Sequence, residues 1–126
     1  PLGCAAALAV QKIFREQHIL ETANQNAAWL TKEMAAAFGS HPNIGEIRHI
    51  GLIQAIELVK DPATKEPLDA SKRTGYAIYK KALEYGLVLR PLGDVLYFNP
   101  PLNITREELS QAIDMAKKAI GDILPA

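Results

Sequence analysis

Between residues 39 and 43 the chain changes the spacing at which its apolar residues recur, and that change limits what it can fold into. Before it, Leu20, Ala23, Ala27, Leu30, Met34 and Ala37 recur at steps of three or four. That spacing places them on one stripe of a helix, while Glu21, Gln25, Lys32 and Glu33 point elsewhere. After it, Ile50, Leu52, Gln54, Ile56 and Leu58 alternate with Gly51, Ile53, Ala55, Glu57 and Val59. This is the period of a strand, apolar on both sides over much of its length. Gly39-Ser40 and His41-Pro42-Asn43 stand between the two regimes as several breakers together. A chain that switches period in this way has to pack helix against sheet.

The flanking segments extend the pattern. Ala5 to Gln17 is an alanine-rich helix, and periodicity leaves open whether it and the next stripe form one helix or two. Gly45 and Gly51 allow turns or bulges, so the first strand reads as a short strand running into a longer one. Asp61-Pro62-Ala63-Thr64-Lys65-Glu66-Pro67 is a polar surface loop. A third helix is predicted from about Ser71 to Glu84, capped by Asp69 or Ser71, with Tyr76, Tyr79 and Leu83 along one face and Ile78 and Ala82 beside it. Gly86 sits where a left-handed terminating residue belongs. Leu87 to Arg90, a Pro91-Leu92-Gly93-Asp94 turn and Val95 to Phe98 read as a β-hairpin, ended by Asn99-Pro100-Pro101. Thr105 and Glu108 form a capping box that opens a last helix, with Leu109, Ile113, Ala116 and Ile120 on its buried stripe. The expected fold is α+β: a small three- to four-stranded, mainly antiparallel sheet with helices on one face. Residues 1–126 form one domain, in which 1–43 are a helical lead-in and 44–126 an α/β sandwich.

Composition narrows the function by exclusion. At 126 residues there is room for one real hydrophobic core. A formal net charge of +0 supplies no basic footprint for nucleic acid or an anionic membrane. No apolar run approaches the roughly 18–20 residues that span a bilayer. The single cysteine, Cys4, fits a reducing, cytoplasmic setting and reads as a small apolar helix residue. Pro1-Leu2-Gly3 has neither an initiator methionine nor a signal-peptide pattern and leads straight into a helix, as a fragment of a longer polypeptide would.

The usual catalytic constellations are missing from the sequence. There is no G-x-S-x-G elbow, Walker loop, G-x-G-x-x-G fingerprint or H-E-x-x-H. His18, His41 and His49 lack metal-ligand spacing, and no metal is expected. The nine lysines fall on predicted polar faces or loops, whereas a Schiff-base lysine needs burial to depress its pKa. No catalytic residue is assigned. One residue stands out. Arg90 follows three apolar strand residues and is held on its far side by Pro91. A guanidinium on a rigid hairpin suits a carboxylate in bidentate fashion; the plainer alternative is a strand-end arginine in a surface ion pair. Tyr97, on the returning strand, points to the same mouth in one register and is otherwise a half-buried strand tyrosine. Glu57 reads as a partnered or edge carboxylate.

Three segments carry a resemblance. Arg90-Pro91-Leu92-Gly93-Asp94-Val95-Leu96-Tyr97-Phe98-Asn99-Pro100-Pro101-Leu102 resembles the C-terminal motif of the class III aminotransferases, in which a Gly-(Asp)-hydrophobic run leads into Pro-Pro-Leu. Pro1-Leu2-Gly3-Cys4-Ala5-Ala6 is similar to the helix that follows the family's Gly-Asn-Pro-Leu segment, and Gly51 to Leu58 resembles its Gly-Leu-hydrophobic strand ending in Glu-Leu. The matches occur in the family's order and span nearly the whole chain. Ornithine and acetylornithine aminotransferases place an arginine three residues before the proline pair, where this chain has Tyr97. The arginine at Arg90, before Pro-Leu-Gly, instead resembles the adenosylmethionine-8-amino-7-oxononanoate (diaminopelargonic acid) aminotransferases.

That resemblance implies the C-terminal small domain of a fold-type I enzyme, a homodimer with its active site at the subunit interface and pyridoxal 5'-phosphate as cofactor. It implies an amino donor, S-adenosylmethionine or lysine, and 8-amino-7-oxononanoate as acceptor in biotin biosynthesis. Arg90 would pair with the substrate carboxylate, with Tyr97 nearby. The family's Schiff-base lysine and phosphate-contacting threonine lie upstream, so this segment alone is expected neither to bind the cofactor nor to transaminate. An omega-amino acid:pyruvate aminotransferase is the second reading within the class, and a free-standing α+β interaction module the alternative from another class.

Overall fold

The computed structural model describes residues 1–125. Its elements run α1 (Leu2–Glu16), α2 (Ile19–Phe38), β1 (Ile44–Ile50), β2 (Ile53–Leu58), a short 3₁₀ turn (Ala70–Lys72), α3 (Thr74–Glu84), β3 (Arg90–Leu92), β4 (Val95–Phe98) and α4 (Arg106–Ile123). The strands form one antiparallel sheet in the order β1-β2-β4-β3. The architecture is α+β with four strands, as the change of period requires.

The two N-terminal helical stretches are separate helices. His18, at φ 50°, adopts the left-handed conformation between them, a geometry that costs a residue with a Cβ about 1–2 kcal/mol and that histidine tolerates better than most. α2 buries Ile19, Ala23, Asn26, Ala27, Leu30, Met34 and Phe38. Leu20, placed on the buried stripe by spacing, is exposed, because the buried stripe runs back from Ala23 by four residues to Ile19 rather than by three to Leu20. α1 has no buried residue.

The long apolar alternation is divided by a turn. Gly51-Leu52 closes a two-residue hairpin between Ile50 and Ile53, with Gly51 at φ +55°. The register shifts between Ile44 and Glu46, a bulge at Gly45. Directly opposed residues of antiparallel strands share a face, so Ile47, Ile56 and Leu96 lie on one side and Gln54 and Phe98 join them. That side faces Leu30, Met34 and Phe38 of α2, Ile78 and Ala82 of α3, and Leu109, Ile113, Ala116 and Ile120 of α4 in one core.

α3 begins later than its sequence suggests. Asp69 accepts a hydrogen bond from the Ser71 N–H and caps the 3₁₀ turn; Arg73 in the left-handed region (φ 48°) then starts the helix at Thr74. Its buried face is Thr74, Gly75, Ile78 and Ala82, leaving Tyr76 and Leu83 partly exposed. At its other end the Leu87 N–H bonds to the Ala82 carbonyl and the Gly86 N–H to that of Leu83, the paired pattern of a Schellman termination. Leu87 is therefore engaged by the helix end rather than by the sheet, and β3 starts three residues later than the hydrophobic run predicts.

α4 is opened by the expected capping box: the Glu108 N–H donates to Thr105 Oγ1 at 3.2 Å and the Thr105 N–H to Glu108 Oε2 at 2.9 Å. The Asn26 amide ties its lead-in to α2, donating to the Ile104 carbonyl and accepting from Arg106 Nε.

Candidate functional site

The face of the sheet turned away from the helices carries both residues singled out by sequence. Arg90 stands directly opposite Tyr97, Tyr97 opposite Ala55, and Ala55 opposite Arg48, so one row crosses all four strands from edge to edge. The next row is Leu92, Val95, Glu57 and Glu46. Arg90 thus begins β3, whereas the hydrophobic run alone puts it at a strand's end; the engagement of Leu87 by the end of α3 accounts for the difference. The register places Arg90 and Tyr97 on one face.

The two arginines of this face differ in what holds them. Arg48 is ion-paired with Glu57 and, at 3.2 Å, with Glu46, and Lys65 reaches the same Glu46 oxygen at 3.2 Å. The hydrogen bond to Glu57 is the main reason the Arg48 guanidinium holds its proton even more firmly than usual, and Lys65 chiefly lowers the Glu46 carboxyl pKa. Glu57 is therefore a partnered carboxylate. Arg90 is exposed, and among the described residues no carboxylate lies within ion-pair distance of it. Tyr97 is half-buried and lines a shallow hollow of about 200 Å³ with Arg48, His49, Ile50, Ile53 and Ala55.

The backbone around Arg90 is fixed from several directions. Leu89, just before it, is 2% exposed and anchored in the core. Pro91 after it restricts the arginine's own backbone to extended geometry. Gly93-Asp94 makes the two-residue turn, with Gly93 at φ +60° in its first central position, the requirement of a type II′ hairpin. Asp94 accepts twice: its Oδ1 from the Gly75 N–H at 3.2 Å, and its carbonyl from the Leu58 N–H at 2.8 Å. Sequence reasoning took Asp94 only as a turn residue and did not single out Gly75 or Arg48. The one available signal was a glycine in the first turn of a helix, where a better helix former would otherwise stand.

A larger hollow, about 640 Å³, lies elsewhere, between residues 60–77 and the end of α4. Lys60 on its rim is ion-paired with Glu66 at 2.5 Å, which raises its pKa. Lys81, the one lysine that is half-buried rather than exposed, is paired with Glu84 and likewise holds its proton more firmly. An imine-forming lysine needs the opposite shift, so neither Lys60 nor Lys81 has the setting of one. Among the described residues no group of three potential ligands could hold a metal, and no helix is long and apolar enough to cross a membrane.

Comparison with known proteins places the chain. The Aminotransferase class-III family pattern matches residues 1–120. The chain is 42% identical to the adenosylmethionine-8-amino-7-oxononanoate aminotransferase of Anoxybacillus flavithermus, over 94% of its own length and 26% of that protein. It is 37% identical to the diaminobutyrate–2-oxoglutarate transaminase of Halomonas elongata, over 99% of its length and 27% of that protein. Among solved structures, the PMP-bound form of an aminotransferase from Vibrio fluvialis superimposes with a TM-score of 0.92 at 32% identity, covering 98% of this chain and 27% of that one. The chain therefore spans about a quarter of the length of the curated relatives it matches. Three ordered motifs, an antiparallel α+β domain of the same shape and a match over nearly every residue lead to one conclusion: the chain belongs to the class III aminotransferases.

Proposed function

We propose that this chain is the C-terminal small domain of a pyridoxal 5'-phosphate-dependent aminotransferase that converts 8-amino-7-oxononanoate to 7,8-diaminononanoate in biotin biosynthesis. Its part is to hold the acceptor. Arg90 pairs with the substrate carboxylate and Tyr97 lies beside it. The observation that carries this reading is the contrast on the outer sheet face: Arg48 is saturated by Glu57 and Glu46, whereas Arg90 is exposed, rigidly mounted and without a carboxylate partner among the described residues. A planar guanidinium in that state is preorganised for a carboxylate supplied by a ligand. Several relatives named for the same biotin-pathway reaction support the choice of acceptor.

The cofactor's lysine and phosphate contacts belong to parts of the enzyme beyond this chain, so the isolated chain should neither bind the cofactor nor transaminate. Bound there, the cofactor supplies the electron sink and the protein supplies orientation. The amino donor is S-adenosylmethionine or lysine, and the working form is a cytoplasmic homodimer. A second reading, in which the acceptor is another oxo acid, has support in the match to the diaminobutyrate transaminase.

The test uses the full-length enzyme containing this domain and compares kcat/KM for 8-amino-7-oxononanoate with that for its methyl ester. Leaving a carboxylate unpaired costs about 2–4 kcal/mol, roughly thirty- to a thousandfold in rate. Arg90→Ala should therefore abolish the preference for the free acid. An unchanged preference, or a wild-type enzyme indifferent to the acceptor and active only on another oxo acid, would refute the assignment.

A further inference from the structure

The structure assigns Asp94 and Gly75 a positioning role: together they lock the β3–β4 hairpin against the start of α3, and so fix where Arg90 presents its guanidinium. This rests on Arg90 being the carboxylate-binding residue. The need for such a lock follows from topology. β3 is an edge strand of three residues, paired only with β4. Ladder hydrogen bonds alone therefore hold Arg90 from one side.

Two independent contacts supply the other side. The Asp94 carboxylate accepts the Gly75 N–H, one of the N–H groups in the first turn of α3 that have no partner within the helix. A carboxylate there also meets the positive end of the helix dipole. The backbones themselves are in close approach: a Cβ built on Gly75 would stand 2.2 Å from the Gly93 carbonyl oxygen and 3.4 Å from Asp94 Cα. Any side chain at position 75 must push the hairpin turn away from the helix. Asp94 at the same time ties the turn to β2 through its carbonyl and the Leu58 N–H at 2.8 Å. One residue thus joins helix, central strand and hairpin, four positions after Arg90.

Removing either contact should let the hairpin shift on its edge without removing the guanidinium. Misplacing a binding group by a fraction of the roughly 1 Å that can cost a hundredfold would lower the preference for free-acid over ester acceptor by about tenfold. In the full-length enzyme, Asp94→Ala and Gly75→Ala are each expected to do this, mainly through KM. Asp94→Asn, whose amide oxygen can still accept the Gly75 N–H, should keep the preference within about twofold. In an Arg90→Ala background, Asp94→Ala should change the preference no further, because residues acting through one contact are non-additive.

The outcomes separate the two claims. If Arg90→Ala abolishes the preference while Asp94→Ala and Gly75→Ala leave it intact, positioning is overturned and the carboxylate role of Arg90 stands. If Asp94→Ala lowers the preference equally with and without Arg90, its effect does not pass through the arginine and positioning is again overturned. An Arg90→Ala enzyme with full preference removes both claims. Should Asp94→Ala not fold, Asp94→Glu carries the decision. It keeps the charge but displaces the carboxylate by one methylene, and must lower the preference where Asp94→Asn does not.

Discussion

Truncating Leu96 and Leu92 in turn tests the assignment of the two sheet faces, and with it the side on which Arg90 lies, without any activity measurement. Leu96 is fully buried at the centre of β4, flanked across the ladder by Ile56 and Pro91. Leu96→Ala removes three carbons' worth of burial at about 0.8 kcal/mol each, or about 2.4 kcal/mol. Strands on both sides prevent collapse, so a residual cavity of about 50 Å³ at about 24 cal/mol per Å³ adds roughly 1.2 kcal/mol. The expected loss is about 3.5 kcal/mol, a large part of the roughly 5–15 kcal/mol that stabilises a domain. Leu92 is 65% exposed on the other face; only about a third of the same transfer term applies, so Leu92→Ala should cost under about 1 kcal/mol. The assay is urea unfolding of the chain, followed by fluorescence of Trp29, its single tryptophan, and by circular dichroism, reading the midpoint shift at constant slope. Equal losses from the two variants, or a loss under about 1.5 kcal/mol for Leu96→Ala, would mean that the hairpin register is one residue out and that Arg90 and Tyr97 face the helices.

Four further outcomes are expected. Thr105→Ala should destabilise the chain by about 1 kcal/mol, as the loss of a helix cap does. The Glu108 carboxyl is held below its usual pKa mainly by the Thr105 N–H, so its contribution is complete above the ordinary glutamate value and fades as pH falls through the lower folded one; Glu108→Gln should flatten that part of the acid limb of a stability–pH curve. Gln54 is fully buried with, among the described residues, no partner for its Oε1 and only long contacts, 3.4 and 3.5 Å, from its Nε2, so Gln54→Met should be neutral or stabilising by about 1 kcal/mol in the same urea titration, since an unsatisfied buried acceptor is removed without loss of volume. Deleting residues 1–16 should change the unfolding free energy by less than about 1 kcal/mol, because α1 has no fully buried side chain, while reducing the helical signal.

How much of this was legible in the sequence depended on whether a signal was local. The capping box, the α4 stripe and the β4 strand follow from neighbouring residues and stand as read. That Gly51 allows a turn or a bulge was legible, but which of the two was not, because Leu52, an apolar residue in the alternation, is buried from within a turn, where pattern cannot separate it from strand. β3 was misplaced because Leu87 to Leu89 look like a strand but Leu87 completes the end of α3, a matter of which carbonyl takes its N–H. At the candidate site, Arg90 and Tyr97 were named from sequence, yet their shared face depends on a register that one residue would reverse. The Asp94–Gly75 contact joins residues 19 apart, and no periodicity encodes it.

Pro91 has a consequence for anyone altering specificity here. In a three-residue edge strand it occupies the middle position, where a missing N–H denies an incoming strand the hydrogen bond it would need to extend the sheet. The same ring restrains the backbone of Arg90. On the proposed role of Arg90, recognition and resistance to self-association are carried by adjacent atoms of one dipeptide. Libraries that randomise position 91 in search of new acceptors will select for colony survival as much as for catalysis, and loss of activity there must be read against the aggregated fraction before it is read as loss of fit.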